Sequence, residues 1–266
     1  MREIDLKIGR KQYKISTDDS YLDNANGHFE PDMVKLFSLL VHRGDTVIDV
    51  GANIGCTALL FNQLAREVHA FEPSKPSYDL LETNLKKAKA KKVTTYNMGL
   101  GDEPSSAELT YAATNRSGGF VSDRTKVNAG HTTESIAIDT LDRVVAAQVI
   151  DKIDFMKVDI EGFEMRMLQG GRRTIERLRP TCVVELNHWC LNAFQRTSVP
   201  EFLDFLKEIF PVLYAVQGDT YRDLYDQDQM YDVLYHHIVS FQFANLVCGF
   251  DTDGPIKKFL ETYRYA

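Results

Sequence analysis

The stretch Thr46-Val47-Ile48-Asp49-Val50 is β-branched and almost continuously apolar, and it runs straight into Gly51-Ala52-Asn53-Ile54-Gly55. An apolar run of this length predicts a strand buried on both faces, as in a parallel sheet covered by helices. Residues from Cys56 to Ala65 read as the helix that follows the glycine turn. The unit then recurs. Val68-His69-Ala70-Phe71 is a second strand ending at Glu72-Pro73, Ser77 to Ala90 a second helix, and Val93 to Asn97 a third strand. Strand–helix alternation with short loops predicts an α/β fold with a Rossmann-like, doubly wound, mostly parallel sheet.

Later segments extend this pattern. Phe155–Val158 and Thr181–Leu186 are the fourth and fifth core strands, and Val212–Val216 and Val239–Leu246 are two more. Helices are expected from Phe163 to Gln169, from there to Arg179, and from Pro200 to Ile209. Ahead of the sheet, residues 3–8 and 11–15 alternate about Gly9-Arg10 as a small hairpin, and Pro31 opens an apolar-periodic helix. The chain therefore divides into a hairpin-and-helix extension, residues 1–44, and a main domain, residues 45–266. Between Gly101 and His131 the sequence turns polar, with one strand expected at Ala107–Tyr111. Thr114 to His131, rich in Ser, Thr, Asn and Gly, is expected as a lid or binding loop.

Charge narrows the function classes. With 31 Lys+Arg against 38 Asp+Glu the net charge is -7, which lacks the global positive field that holds nucleic acid or an anionic membrane. The run Lys86, Lys87, Lys89, Lys91 and Lys92 reads as a solvated helix end whose cations complement the helix dipole. The four cysteines form no CxxC pair, so neither a zinc site nor a disulfide framework is expected. The N-terminal stretch has no apolar h-region, and no apolar run is long enough to span a bilayer. A cytoplasmic location is the resulting expectation.

In open α/β sheets, ligands bind at the carboxyl ends of the strands, where the strand order switches. This sequence places Asp49 and the glycine loop at the first such end, Glu72 at the second, Asp159 and Glu161 at the fourth, and Glu185, Asn187 and His188 at the fifth. The loop is not G-x-G-x-x-G, and Asp49 on its strand side suits a cationic ligand better than a phosphate. Glu72 is placed to accept both hydroxyls of a ribose.

Asp49-Val50-Gly51-Ala52-Asn53-Ile54-Gly55 with Phe71-Glu72-Pro73 resembles the S-adenosyl-L-methionine (SAM) site of class I methyltransferases. Met156-Lys157-Val158-Asp159-Ile160-Glu161-Gly162-Phe163-Glu164 resembles the signature of the FkbM family within that class, and Phe29-Glu30-Pro31 its entry segment. The resemblance covers Glu30 to Glu185. It implies a seven-stranded sheet, SAM as cofactor with S-adenosylhomocysteine (SAH) as product, and O-methylation of a small-molecule acceptor such as a sugar or natural product. It further implies a cofactor site of Gly51, Ala52, Asn53, Gly55 and Pro73, with Asp49 facing the ammonium, Glu72 on the ribose, Asn97 and Met98 about the adenine, and Glu30 closing over the amino-acid end. Asp159 then lines the methyl-transfer centre.

Methyl transfer to an alcohol needs in-line positioning and removal of a proton. Asp159, Glu161 and His188 are the candidate bases, and Asp159 ranks first. Asp159, Glu161, Glu185, Asn187 and His188 together also offer ligands for a divalent ion, although nothing in the spacing calls for one. Three alternatives stand beside this reading. An NAD-dependent oxidoreductase is opposed by the missing G-x-G-x-x-G. A nucleic-acid methyltransferase is opposed by the acidic charge. A non-catalytic SAM-binding module leaves the acids at the strand ends without a task. The acceptor pocket is expected from Ala112–His131, Trp189–Val199 and Asp219–His237, whose Tyr221, Tyr225 and Tyr231 suit either a stacked acceptor or a homo-oligomer interface.

Overall fold

The computed structural model describes residues 1–265. Strands β1 (Arg2–Ile8) and β2 (Lys11–Thr17) pair antiparallel across Gly9, and helix α1 (Pro31–Leu40) follows. Next come β3 (Thr46–Val50), α2 (Cys56–Leu64), β4 (Glu67–Phe71), α3 (Lys75–Ala88) and β5 (Val93–Tyr96). The chain then builds β6 (Gly99–Leu100), β7 (Ser105–Ala112), β8 (Asn115–Val121) and β9 (His131–Asp139). Helix α4 (Leu141–Ala147) leads to β10 (Phe155–Val158), α5 (Glu164–Gly170), α6 (Arg172–Leu178) and β11 (Thr181–Glu185). A single turn, α7 (His188–Cys190), passes into a π-helical turn over Leu191–Gln195. The remainder is α8 (Val199–Ile209), β12 (Val212–Gln217), β13 (Thr220–Asp223), α9 (Gln227–Ser240), β14 (Asn245–Gly249), α10 (Gly254–Thr262) and β15 (Arg264–Tyr265).

The main sheet runs β15-β13-β12-β14-β11-β10-β3-β4-β5. The five strands from β11 to β5 are mutually parallel, whereas β14 is antiparallel to both of its neighbours. The sheet holds nine strands rather than seven, because β12 turns back through Gly218-Asp219 into β13 and β15 then pairs with β13. Both added strands are short, so no apolar alternation marks them. From β3 the chain winds outward to β4 and β5, then returns to lay β10 on the other side of β3. That reversal opens a crevice at the carboxyl ends of β3 and β10.

All five residues of β3 are buried. Ile48 and Val50 face one apolar layer with Met156 and Val158 of β10, and Val47 faces the other with Phe155. In the second layer Phe37 of α1, Phe61 of α2 and Phe155 stack in tilted and edge-on pairs, with centroids 5.1 to 5.7 Å apart. The β1–β2 hairpin adds Leu6, Ile8 and Ile15 to this same layer.

Two expectations are corrected. Thr114–His131 is not one long loop: β8 and the start of β9 lie within it, in a four-stranded sheet of order β6-β9-β7-β8. One face of that sheet is wet, which explains its polar composition, and the other buries Leu109, Tyr111, Ile136 and Ile138 against Phe163. Val239–Leu246 is not one strand either. Asp226 caps α9 by accepting from the Asp228 and Gln229 amides, the helix continues to Ser240, and β14 begins only at Asn245. No helix among the described residues is long and apolar enough to cross a membrane.

The aromatic trio gives a direct test of this core. Phe155→Ala is expected to lower the unfolding free energy by about 3–5 kcal/mol in denaturant titration, the usual cost of emptying a ring's volume at a fully buried position.

Candidate active site

At the end of β3 the backbone enters the left-handed region at Gly51 (φ 80°), Asn53 (φ 49°) and Gly55 (φ 96°). Gly51 is required there on a second count. A Cβ on it would stand 2.0 Å from the Asp159 carbonyl oxygen. The Gly51 and Ala52 amides both donate to the Phe71 carbonyl at 3.0 Å, which ties the loop to the end of β4. Glu72 completes this tie: Oε2 accepts from the Asn53 amide at 2.8 Å, and Oε1 from the Ser74 amide at 2.9 Å. Burial pushes its carboxyl up to about 7, against the pull of the two amides and Lys157.

Asp49 and Lys157 stand opposite each other in the β3–β10 register, side by side on one face of the sheet. Asp49 is wholly buried and accepts from the Thr57 hydroxyl at 2.7 Å. The Lys157 ammonium donates to the carbonyls of Gly51 at 2.7 Å and Val50 at 3.2 Å. It lies 3.3 Å from Asp159 and 3.8 Å from Asp49. Burial alone would depress its pKa, but the carboxylates of Asp159 and Asp49 hold it above the ordinary lysine range.

The turn after β10 carries the densest charge. Glu161 sits at φ 55° and Gly162 at φ 96°. Beneath them Glu164, wholly buried, accepts from the amides of Ile160 at 2.9 Å and Gly162 at 3.2 Å. Burial pushes Glu164 up to about 8. Glu161 accepts from the Cys190 thiol at 3.1 Å and the Asn187 amide group at 3.3 Å. Burial, then the charge of Asp159, pushes it up to about 7. From the end of β11, Glu185 brings a third carboxylate whose Oε2 is buried without a hydrogen-bond partner. Burial and the neighbouring carboxylates hold it well above the usual range. Oxygen atoms of Asp159, Glu161 and Glu185 all lie within 4.8 Å of one another.

Glu72, Lys157, Asp159, Glu161 and Glu185 line one cavity of about 290 Å³. The structure brings Glu30, Gly51, Ala52, Asn53, Glu72, Pro73, Met98, Asp159 and Glu161 to its wall. Asp49, Gly55, Asn97 and His188 are not on that wall. Asp49 lies beneath Lys157, and Gly55 is packed against Leu81, 2.7 Å from where its Cβ would stand. Asn97 uses its side-chain amide to hold the Glu72 and Pro73 carbonyls, at 2.9 and 3.0 Å. His188 packs against His237 and Phe241, with centroids 5.0 and 5.4 Å away, and its buried Nδ1 has no partner.

Sequence reasoning missed Lys157, although a lone cation in an apolar strand was a readable signal. It also missed the apolar wall of Leu109, Ile136 and Ile138, which the four-stranded sheet brings over the cavity. Arg116, Ser117, Gly119 and Val121 reach the wall from the expected Ala112–His131 segment, whereas the expected Trp189–Val199 and Asp219–His237 segments supply none of its residues.

A family model for the methyltransferase FkbM domain matches residues 49–212. The chain belongs to the FkbM methyltransferase family. Over 152 residues this FkbM chain is 29% identical to the hexuronic acid methyltransferase AglP of Haloferax volcanii, covering 55% of the chain but only 58% of that relative. Among solved structures it is similar to the FkbM methyltransferase of Methylobacillus flagellatus KT (19% identity, TM-score 0.45), covering 63% of this chain and 38% of that one. It is also similar to SMU.1697c of Streptococcus mutans, solved with SAH (12% identity, TM-score 0.43), covering 70% and 85%.

Two substitutions test this geometry. Gly51→Ala is expected to lower the melting temperature, because its Cβ collides with backbone that cannot swing away. Glu164 binds its proton more tightly folded than unfolded, so its contribution to stability is complete at about pH 4 and fades as pH rises through about 8. Unfolding free energy should fall over that window by up to about 1.4 kcal/mol per pH unit for such a group, and Glu164→Gln should flatten the slope.

Proposed function

We propose that this FkbM-family chain is a SAM-dependent O-methyltransferase acting on a hydroxyl of a small molecule, with a sugar as the favoured acceptor class. The observation that carries the reading is one cavity with Glu72 at the end of β4 and three carboxylates at the ends of β10 and β11. The likeness to a hexuronic acid methyltransferase supports a sugar acceptor. Residues present fit the cofactor: Gly51, Ala52 and Asn53 bring the glycine loop to the cavity wall, and Glu72 keeps lone pairs free after binding its two amides.

In this reading the Gly51–Asn53 loop receives the amino-acid end of SAM, with Glu30 opposite. Glu72 accepts the ribose hydroxyls, and Pro73 and Met98 flank the adenine. Asp49 acts on the ligand through Lys157, whose ammonium stands between that carboxylate and the cavity side of β10. When bound, SAM supplies an electrophilic methyl group on a sulfonium. The protein has to hold the acceptor oxygen in line and take its proton. Asp159 and Glu161 are the bases within the cavity, and burial has tuned Glu161 close to neutrality. His188, being off the wall, is a packing residue.

Calorimetric titration with SAH, with NAD as control, tests the cofactor. Wild-type protein is expected to bind SAH at micromolar concentration and to ignore NAD. Glu72→Ala should weaken SAH at least tenfold, as expected when a buried polar group loses its partner. Folded protein that binds no SAH would sink the methyltransferase reading.

A further inference from the structure

Methyl transfer from a sulfonium to a hydroxyl changes charge at two atoms: sulfur loses one positive charge and oxygen releases one proton. The cavity holds five acids, Glu30, Glu72, Asp159, Glu161 and Glu185, against two cations, Arg116 and Lys157. Neither cation is free. Arg116 is paired with Asp18 and lies 3.6 Å from Asp19, and Lys157 is shared between Asp49 and Asp159. Three of the acids, Asp159, Glu161 and Glu185, crowd within 4.8 Å, a separation at which like charges do not all ionise. Glu185 brings one oxygen to this cluster and carries a buried oxygen, Oε2, with no hydrogen-bond partner.

We propose that Asp159, Glu161 and Glu185 form one proton-holding unit, with Glu185 as its third member, whose proton count answers the charge of the cofactor. The inference rests on the SAM reading above. When the cavity contains no sulfonium, the unit retains a proton to relieve the repulsion among its carboxylates. A sulfonium in the same cavity stabilises the fully ionised unit, so SAM binding expels that proton. After methyl transfer the C–S bond is broken with its electron pair left on sulfur, the C–O bond is formed, and the hydroxyl proton passes to the unit. The net charge of the cavity is then the same before and after the reaction. Around the unit, the Cys190 thiol and the Asn187 amide hold Glu161, Lys157 holds Asp159, and buried Glu164 braces the turn from below. Because Lys157 is already committed to Asp49 and Asp159, and Arg116 to Asp18 and Asp19, the cofactor's charge is the main variable the unit senses.

SAM and SAH differ by a methyl group and one positive charge, so their comparison isolates the effect. Each is titrated into the whole protein at pH 7 by calorimetry, in phosphate and in Tris, whose ionisation heats differ. The dependence on buffer gives the protons exchanged per ligand bound. Bound SAM is expected to leave the protein with roughly half to one proton fewer than bound SAH. Glu185→Gln should abolish most of that difference while still binding both ligands, and Glu161→Gln should do the same if the first variant folds poorly. Equal proton counts for SAM and SAH in the wild type would overturn the proposal. So would a difference that survives Glu185→Gln unchanged. If neither ligand binds, the cofactor reading itself fails and this inference falls with it, an outcome distinct from binding with equal proton counts.

Discussion

The site depends on one buried lysine. Lys157 is 5% exposed, in a strand whose other three residues are apolar and buried. An ammonium in that position is tolerable only with every donor engaged, and here it is engaged by two carbonyls and two carboxylates. The carbonyls belong to Val50 and Gly51, so the same contact that neutralises the charge also holds the first turn of the glycine loop. Asp49, its cross-strand neighbour, is buried for the same reason: each charge makes the other affordable in the core. Losing Lys157 would leave the wholly buried Asp49 without its cation directly beneath the loop.

The cavity is enclosed by two pieces of chain outside the doubly wound sheet. Residues 18–30 supply Tyr21, Phe29 and Glu30 to its wall, and the four-stranded sheet supplies Leu109, Arg116, Ile136 and Ile138. These pieces are latched to each other. Arg116 is ion-paired with Asp18, its amide donates to Asp19, and the Ser20 amide and hydroxyl both bond the Thr114 carbonyl. At the far side the same sheet is fastened through Phe120 on Phe194, with centroids 3.7 Å apart, and Ser122 to the Phe194 carbonyl. The strand ends therefore supply the polar floor, while these additions supply the shape.

This division explains what the sequence made legible. Strands β3, β4, β10 and β11 are buried on both faces, so their apolar runs announced them together with the acids at their carboxyl ends. The four-stranded sheet is buried on one face only, and β8 reads Asn-Arg-Ser-Gly-Gly-Phe-Val, which resembles a loop until Phe120 is seen packed. Of the site residues, those on the turns directly after β3, β4 and β10 could be read from position. Side-chain direction could not. Asn97 turned to its own backbone, and His188 followed a helical turn away from the cavity, because what each touches is decided by segments far away in sequence.

The turn after β10 shows how the fold sustains an arrangement that is costly locally. Glu161 is a non-glycine residue at positive φ, next to a second positive φ at Gly162, and such conformations persist only where the surroundings over-determine them. Three contacts do so. Glu164 clamps the amides on either side of Glu161, a Cβ on Gly162 would collide with Cys190 at 2.8 Å, and the Cys190 thiol and Asn187 amide pin the Glu161 carboxylate itself. The two halves of this clamp come from α5 and from α7, the elements that follow β10 and β11. Any drift of one strand end relative to the other would therefore be felt at Glu161. Strain in the backbone and crowding of like charges meet at the same residue, so the packing that makes this turn possible also holds a carboxyl close to neutrality inside the cavity.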